Sequence, residues 1–255
     1  MPPVVVQQAL KRLGIEPDGV LMVHSAFTQL SQDGYEPASI LKAIVDYMYP
    51  GTLLMPTMSW RFVNALHPVF DERQTPSNTG ILTELFRKQY AAVRSCHPTH
   101  SVAGMGSLAT KLLASHHLDD TPCSSRSPFG LHAQHNGWIL MMGISIDCCT
   151  LVHAVEEAMA PEVYLKPVTQ REEYLCRDRH GVERTVSLRR HQFLPRNYFQ
   201  FQDELAREGT LRVTRIDNTI CRAFKAGDLV RVVNERLKGS PDAIIAKPGD
   251  RYRMM

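Results

Sequence analysis

The sequence predicts an α/β protein with a central, largely parallel or mixed sheet flanked by helices. Three observations predict it. Residues 19–24 (GVLMVH), 52–56 (TLLMP) and 138–144 (WILMMGI) are short, almost unbroken apolar runs, as expected of strands buried on both faces. Helical periods at 37–49, 79–90 and 107–115 separate them, the alternation that builds βαβ units. An antiparallel signal enters only later, where 168–177 and 182–190 flank Asp178-Arg179-His180-Gly181. That pattern reads as a hairpin around a glycine turn.

Element by element, the start MPPVVVQQALKRLG reads as a short amphipathic helix, because it lacks the long apolar stretch of a secretory leader. The helix over 37–49 stops at Pro50-Gly51, a strong terminator. A loop after the third apolar run leads into a helix over 150–159. Beyond the hairpin, 197–208 is helical and closes at Gly209, 226–237 is helical, and 243–246 (AIIA) reads as a last strand. The whole chain, 1–255, is expected to form one domain, with 166–195 as a hairpin insertion or annex.

Composition excludes several classes. The 255 residues are 44% hydrophobic and 22% charged, ordinary for a folded chain able to bury its own core. A net charge of +3 gives no reason to expect a nucleic-acid partner. No run of 18 apolar residues exists to span a membrane. Six cysteines without a C-x-x-C pair, and no leader, point to reduced thiols in a cytoplasmic protein. His132 with His135, and His116 with His117, lack an obvious third ligand, so no metal is expected. The apolar hairpin edge offers one route to a homodimer.

In open α/β sheets, ligands sit beyond the carboxyl ends of the strands. The segments 23–25, 55–57 and 143–147 occupy those positions. The third leads into Asp147-Cys148-Cys149-Thr150-Leu151-Val152-His153-Ala154-Val155-Glu156-Glu157. With a helix starting near Thr150, His153 lies in the first turn, and Glu156 and Glu157 fall at i+3 and i+4 on the same face. A carboxylate on one imidazole nitrogen fixes the tautomer and frees the other as a general base. Asp147 is an alternative orienting acid. The same spacing also occurs in simple surface ion pairs. Cys149, four residues before His153, raises a rival reading as the thiol of a cysteine acyltransferase or hydrolase. A buried structural thiol is the competing explanation.

The order of short motifs along the chain resembles the aminoglycoside 3-N-acetyltransferase (antibiotic acetyltransferase) family. Leu21-Met22-Val23-His24-Ser25-Ala26-Phe27 looks like its LxVHSSL segment, with alanine where a second serine is usual. Residues 51–57 (GTLLMPT) look like GTLxxPT. Thr75-Pro76-Ser77 with Gly80, Glu84 and Arg87 is similar to its TPS-to-FR helix. Residues 94–101 (RSCHPTHS) look like RSxHPxxS, and Ser127-Pro128 like its SP pair. Residues 150–156 (TLVHAVE) look like TxxHxAE, with Val155 replacing a small residue. The likeness runs from about residue 19 to 156 and fades through the last 90 residues.

The resemblance implies an acyl-CoA-dependent N-acetyltransferase on an α/β fold unlike that of the commonest acetyltransferases. It carries His153 over as base, with Glu156 as its partner and Asp147 as a softer transfer. It places His24, Ser25, Ala26, Phe27, Thr57, Arg94, Ser95, His97, Ser101 and Ser127 along the acetyl-CoA site. Several have plainer readings as well: Thr57 in turn chemistry, His97 as a satisfied structural histidine, Ser127 as the cap of a helix with Pro128 at N1. Asp71, Glu157 and Thr150 are the candidates for holding the acceptor.

Two acceptors stay open: an aminoglycoside-like amino sugar, or a nucleotide-linked amino sugar of surface-polysaccharide synthesis. The second is suggested by Arg177, Arg179, Arg184, Arg189 and Arg190 on the hairpin, which suit an anion. A non-catalytic binding module that retains the fold is the remaining alternative.

Overall fold

A computed structural model describes residues 2–254. Helix α1 (Pro2–Arg12) leads into β1 (Val20–Ser25), followed by α2 (Thr28–Gln32), α3 (Pro37–Tyr47) and β2 (Thr52–Pro56). Then come β3 (Val69–Asp71), α4 (Ile81–Gln89), β4 (Val93–Arg94), β5 (Val102–Met105) and α5 (Ala109–Leu113). Next are α6 (Pro128–Gln134), β6 (Trp138–Met142), α7 (Leu151–Met159) and α8 (Pro161–Tyr164). The chain continues through β7 (Glu172–Arg177), β8 (Glu183–Leu188), β9 (Pro195–Arg196) and α9 (Phe199–Arg207). Strands β10 (Arg212–Ile216) and β11 (Thr219–Lys225), helix α10 (Ala226–Gly239) and β12 (Arg253–Met254) complete it.

The main sheet has seven strands in the order β10-β11-β6-β1-β2-β5-β4. Only its centre is parallel, where β1 pairs with β2 and β6. Every other pair in it is antiparallel, so the sheet is mixed. Side chains alternate across a strand, and the alternation sorts the apolar runs into two cores. Leu21, Val23, Leu140 and Met142 face one layer with α1, α3 and α4. Met22, Leu54, Ile139 and Met141 face the other with α7, α9 and α10. Both faces are covered, which is why these runs are apolar at every position. Each such side chain contributes about 1.5–3 kcal/mol, and a charge in place of Leu140, which is 1% exposed, would break the centre.

The sequence-predicted hairpin forms as β7 and β8, turning at Gly181 with φ +83°. Its first strand, β7, also pairs in parallel with β3 to make a second, three-stranded sheet. A small core of Phe70, Tyr174, Cys176 and Leu188 lies beneath it. Two local expectations change, and two strand pairs are new. Residues 168–170 form a 3-10 turn, so the first hairpin strand starts at Glu172. Residues 243–246 make turns and one isolated bridge, between Ile245 and Arg196, instead of a strand. The pairs β10–β11 and β4–β5 give no clear sequence signal: β10 is an edge strand exposed at most positions, and β4 is two residues long. Among the described residues no helix is long and apolar enough to cross a membrane.

Candidate active site

A cleft of about 1070 Å³ opens beyond the carboxyl ends of β1, β2 and β6, the position expected for a ligand in an open α/β sheet. It is at the upper end of the range for small-molecule sites. His24, Ser25, Ala26 and Phe27 line it where β1 ends, and Thr150 and His153 where α7 begins. Parallel pairing sets Ser25 beside Met142, the last residue of β6. Gly143 follows with φ +67°, and a β-carbon there would lie 2.5 Å from the Ala26 carbonyl oxygen. Glycine thus lets the two strand ends turn side by side.

His153 sits in the first turn of α7 with Glu156 at i+3, and Nδ1 lies 2.7 Å from Glu156 Oε2. Glu156 is fully buried, and three groups hold its carboxylate. His153 Nδ1 donates to it. Arg196 donates from Nε at 3.0 and 3.2 Å. The Tyr198 hydroxyl donates to Oε1 at 3.0 Å and lies 3.1 Å from His153 Nδ1. With Nδ1 committed, Nε2 is the imidazole nitrogen left for the cleft. Burial lowers the pKa of His153; Glu156 opposes the shift and Arg196 reinforces it. The helix N-terminus adds to the preference for a neutral ring.

A second imidazole completes the centre. His191 lines the cleft and stacks on His153, with centroids 4.1 Å apart and planes at 23°. Its Nε2 lies 2.7 Å from Glu157 Oε1, and the Cys123 amide donates to that same oxygen at 2.8 Å. His100 meets His191 edge-on at 5.5 Å. Burial pushes the Glu157 pKa up to about 8, and burial first, then His153 and His100, holds that of His191 well below its ordinary value.

Cys123, Glu157 and His191 also place three potential ligand atoms within 4.8 Å of one another. The 2.7 Å separation of Nε2 and Oε1 is a hydrogen bond. Two ligands each about 2.0–2.1 Å from a tetrahedral zinc ion would stand more than 3 Å apart.

Other sequence-predicted residues lie elsewhere. Asp147 faces Ser145 and Arg253, so Glu156 is the acid that meets His153. Asp71 accepts from the amides of Arg73 and Gln74 in a turn outside the cleft. Ser127 caps α6 by accepting from the Gly130 amide at 3.2 Å. Arg94 is buried behind the cleft. It donates to Thr57 Oγ1, Ser101 Oγ and the carbonyls of Thr57, Glu72 and Thr75. Ser101 Oγ donates to the Thr57 carbonyl at 2.8 Å. Ser95 bonds His116, against which His97 stacks at 4.3 Å. This network ties β2, the 71–75 turn and the 94–101 loop together without lining the cleft.

His191, Arg196 and Tyr198 lie where the hairpin gives way to α9, and no motif in the sequence marks them as site residues. They are about 40 residues from α7, so no helical or strand period links them to it. The available signal was chemical: a buried carboxylate needs a cation, and residues 189–198 (RRHQFLPRNY) supply several. The wall also carries Arg61, Lys166, Arg190 and Arg253, with Glu172 the one carboxylate among the lining residues. Glu172 pairs with Lys166 at 2.8 Å and Arg190 at 3.4 Å.

The sequence profile of the aminoglycoside 3-N-acetyltransferase family matches residues 22–238. The chain is 24% identical over 172 residues to the SPbeta prophage-derived aminoglycoside N(3')-acetyltransferase-like protein YokD of Bacillus subtilis, covering 59% of this chain and 63% of that protein. It is 28% identical over 252 residues to aminoglycoside N(3)-acetyltransferase VIII of Streptomyces fradiae, covering 87% and 86%. Its fold is similar to that of AAC-IIIb solved as a binary complex with CoASH: TM-score 0.79, 22% identity, 97% of this chain and 98% of that one. The chain belongs to the aminoglycoside 3-N-acetyltransferase family.

Proposed function

We propose that this chain is an acetyl-CoA-dependent N-acetyltransferase that acetylates an amine of an amino sugar by direct transfer, with His153 as general base. One observation carries the reading: an imidazole at the cleft wall, its Nδ1 held by a buried carboxylate, and its pKa lowered so that Nε2 is free to accept a proton. The amine attacks the acetyl carbonyl, a C–N bond forms, and His153 Nε2 takes the amine proton. The hydroxyls of Ser25 and Thr150, both in the lining, are positioned at the strand and helix ends to serve as oxyanion donors. The C–S bond then breaks, and the CoA thiolate leaves and is protonated. Base catalysis of this kind contributes about 10²–10⁴-fold. The family and the likeness to AAC-IIIb with CoASH support acetyl-CoA as the donor.

The family favours an aminoglycoside-like acceptor. The lining supports a second reading. A polycation needs carboxylates to meet it, yet Asp71 and the Glu157 pair are committed elsewhere, and four cationic side chains face one acid in the wall. An amino sugar linked to a nucleotide would use those cations for its phosphates.

The test is thiol release from acetyl-CoA with aminoglycosides, plain amino sugars and nucleotide-linked amino sugars. Amine-dependent release that falls at least about 100-fold in His153→Ala supports the mechanism, and the responding class names the acceptor. Release that persists in His153→Ala at the wild-type rate would sink it.

A further inference from the structure

Helix α7 carries two adjacent carboxyl side chains, and each engages a different imidazole. Glu156 takes His153 within the helix, and Glu157 takes His191 from the loop after β8. The two rings are stacked face to face. Resting on the proposed role of His153, we infer that His191, anchored by Glu157, is a positioning residue that holds the His153 ring in place and keeps it neutral.

The argument is one of charge. Two imidazoles 4.1 Å apart in a buried site oppose each other's protonation. Protonation of His191 would therefore work against the positive charge that His153 must take up during transfer. An ionised Glu157 would favour that protonation. Burial instead raises the Glu157 pKa to about 8, so near neutral pH its carboxyl donates to His191 Nε2 and the pair carries no charge. The other groups around His191 act in the same direction: His100, Arg196 and Arg190 all disfavour a proton on it. Around Glu157, burial raises the pKa most, hydrogen bonds from the Thr121 side chain and the Cys123 amide counter it, and Asp119 and Glu156 add to the rise. His191 is part of the cleft lining and stacks on His153. Its ring shields one face of His153 from water, and that exclusion of water sustains the lowered pKa.

The proposal is tested by NMR titration of the His153 ring in the full chain, beside pH–rate profiles, for wild type, His191→Ala and His191→Phe. In His191→Ala, water reaches both His153 and Glu157, and each effect raises the His153 pKa. The acid limb of kcat should move up by about one unit, a roughly tenfold loss at its foot that recovers as pH rises. The KM for acetyl-CoA should stay near wild type. His191→Phe keeps a stacked ring and should hold the His153 titration near its wild-type position. An unmoved His153 titration in His191→Ala overturns the inference, as does a variant that raises KM alone. A shift in His191→Phe as large as in His191→Ala overturns it too. The NMR arm needs no turnover, so it stands apart from the outcome of His153→Ala in the thiol-release assay.

Discussion

Arg196 and Glu156 form an ion pair in which neither side chain exposes any surface: Nε lies 3.0 Å from Oε1 and 3.2 Å from Oε2. The pair fixes the carboxylate that fixes His153. Its value to stability is a matter of what remains when one partner goes, because an uncompensated buried carboxylate costs about 3–5 kcal/mol. Arg196→Met should lower unfolding free energy by that amount in urea titrations. It should also reduce kcat more than it changes KM, since Glu156 would lose the cation that fixes its carboxylate against His153.

Cys149 is expected to be chemically silent. Its side chain is fully buried, and burial pushes its pKa up to about 12, so the thiolate needed for nucleophilic attack is absent near neutral pH. Cys149→Ala should retain amine-dependent thiol release, with a small stability loss from the vacated volume. No acyl-enzyme should be found by intact mass when wild type is incubated with acetyl-CoA alone.

Arg94 acts on the architecture behind the cleft. Its guanidinium donates to three carbonyls and two hydroxyls and lies over the Phe70 ring. Arg94→Met should cost about 3–5 kcal/mol by leaving those acceptors buried without donors. Binding of acetyl-CoA to the fraction that remains folded, measured by calorimetry, should be close to wild type.

Acid should unfold the protein steeply. Burial depresses the pKa of His24 to about 4 and of His116 and His132 to about 3. It holds His97, His100 and His191 well below the ordinary range and lowers His153. A histidine depressed in the folded state contributes stability above its unfolded pKa, about 6.5, and loses it as pH falls toward the folded value. In that window each fully neutral histidine contributes a slope of roughly 1.4 kcal/mol per pH unit. Glu157 has the opposite sign: its raised pKa makes its contribution fall as pH rises toward about 8. Burial also raises Glu72 and Asp119, which share the sign of Glu157. Seven depressed histidines against these three carboxyls leave a net loss on acidification, read as a falling urea midpoint from pH 6.5 to 5.5.

Legibility in the sequence followed the range of the physics. The strands β1, β2 and β6 stand out because burial on both faces demands apolar side chains at every position. The pair His153–Glu156 stands out because one helix turn brings i and i+3 together. The hairpin β7–β8 is marked by its turn, but its partner β3 is not, since a three-residue strand about 100 residues earlier leaves no pattern. His191, Arg196 and Tyr198 are invisible to any local period, and their place depends on where the chain returns after the second sheet. In the motif 94–101, Arg94, Ser95 and Ser101 are tied into hydrogen bonds behind the cleft, while His100 reaches its lining.

The division of labour between α7 and the surrounding walls has a consequence for directed evolution. The acid–base pair is anchored on α7 and by residues 196 and 198. Much of the outer wall, by contrast, comes from the 60–66 loop and from residues 166, 172, 190 and 193. A combinatorial library confined to Trp60, Arg61, Asn64, Ala65, Leu66, Lys166 and Phe193, sparing the buried Val63, would sample new acceptor shapes and charges while leaving the proton-transfer hardware intact. Selection on such a library can therefore explore substrate range with a low burden of dead clones.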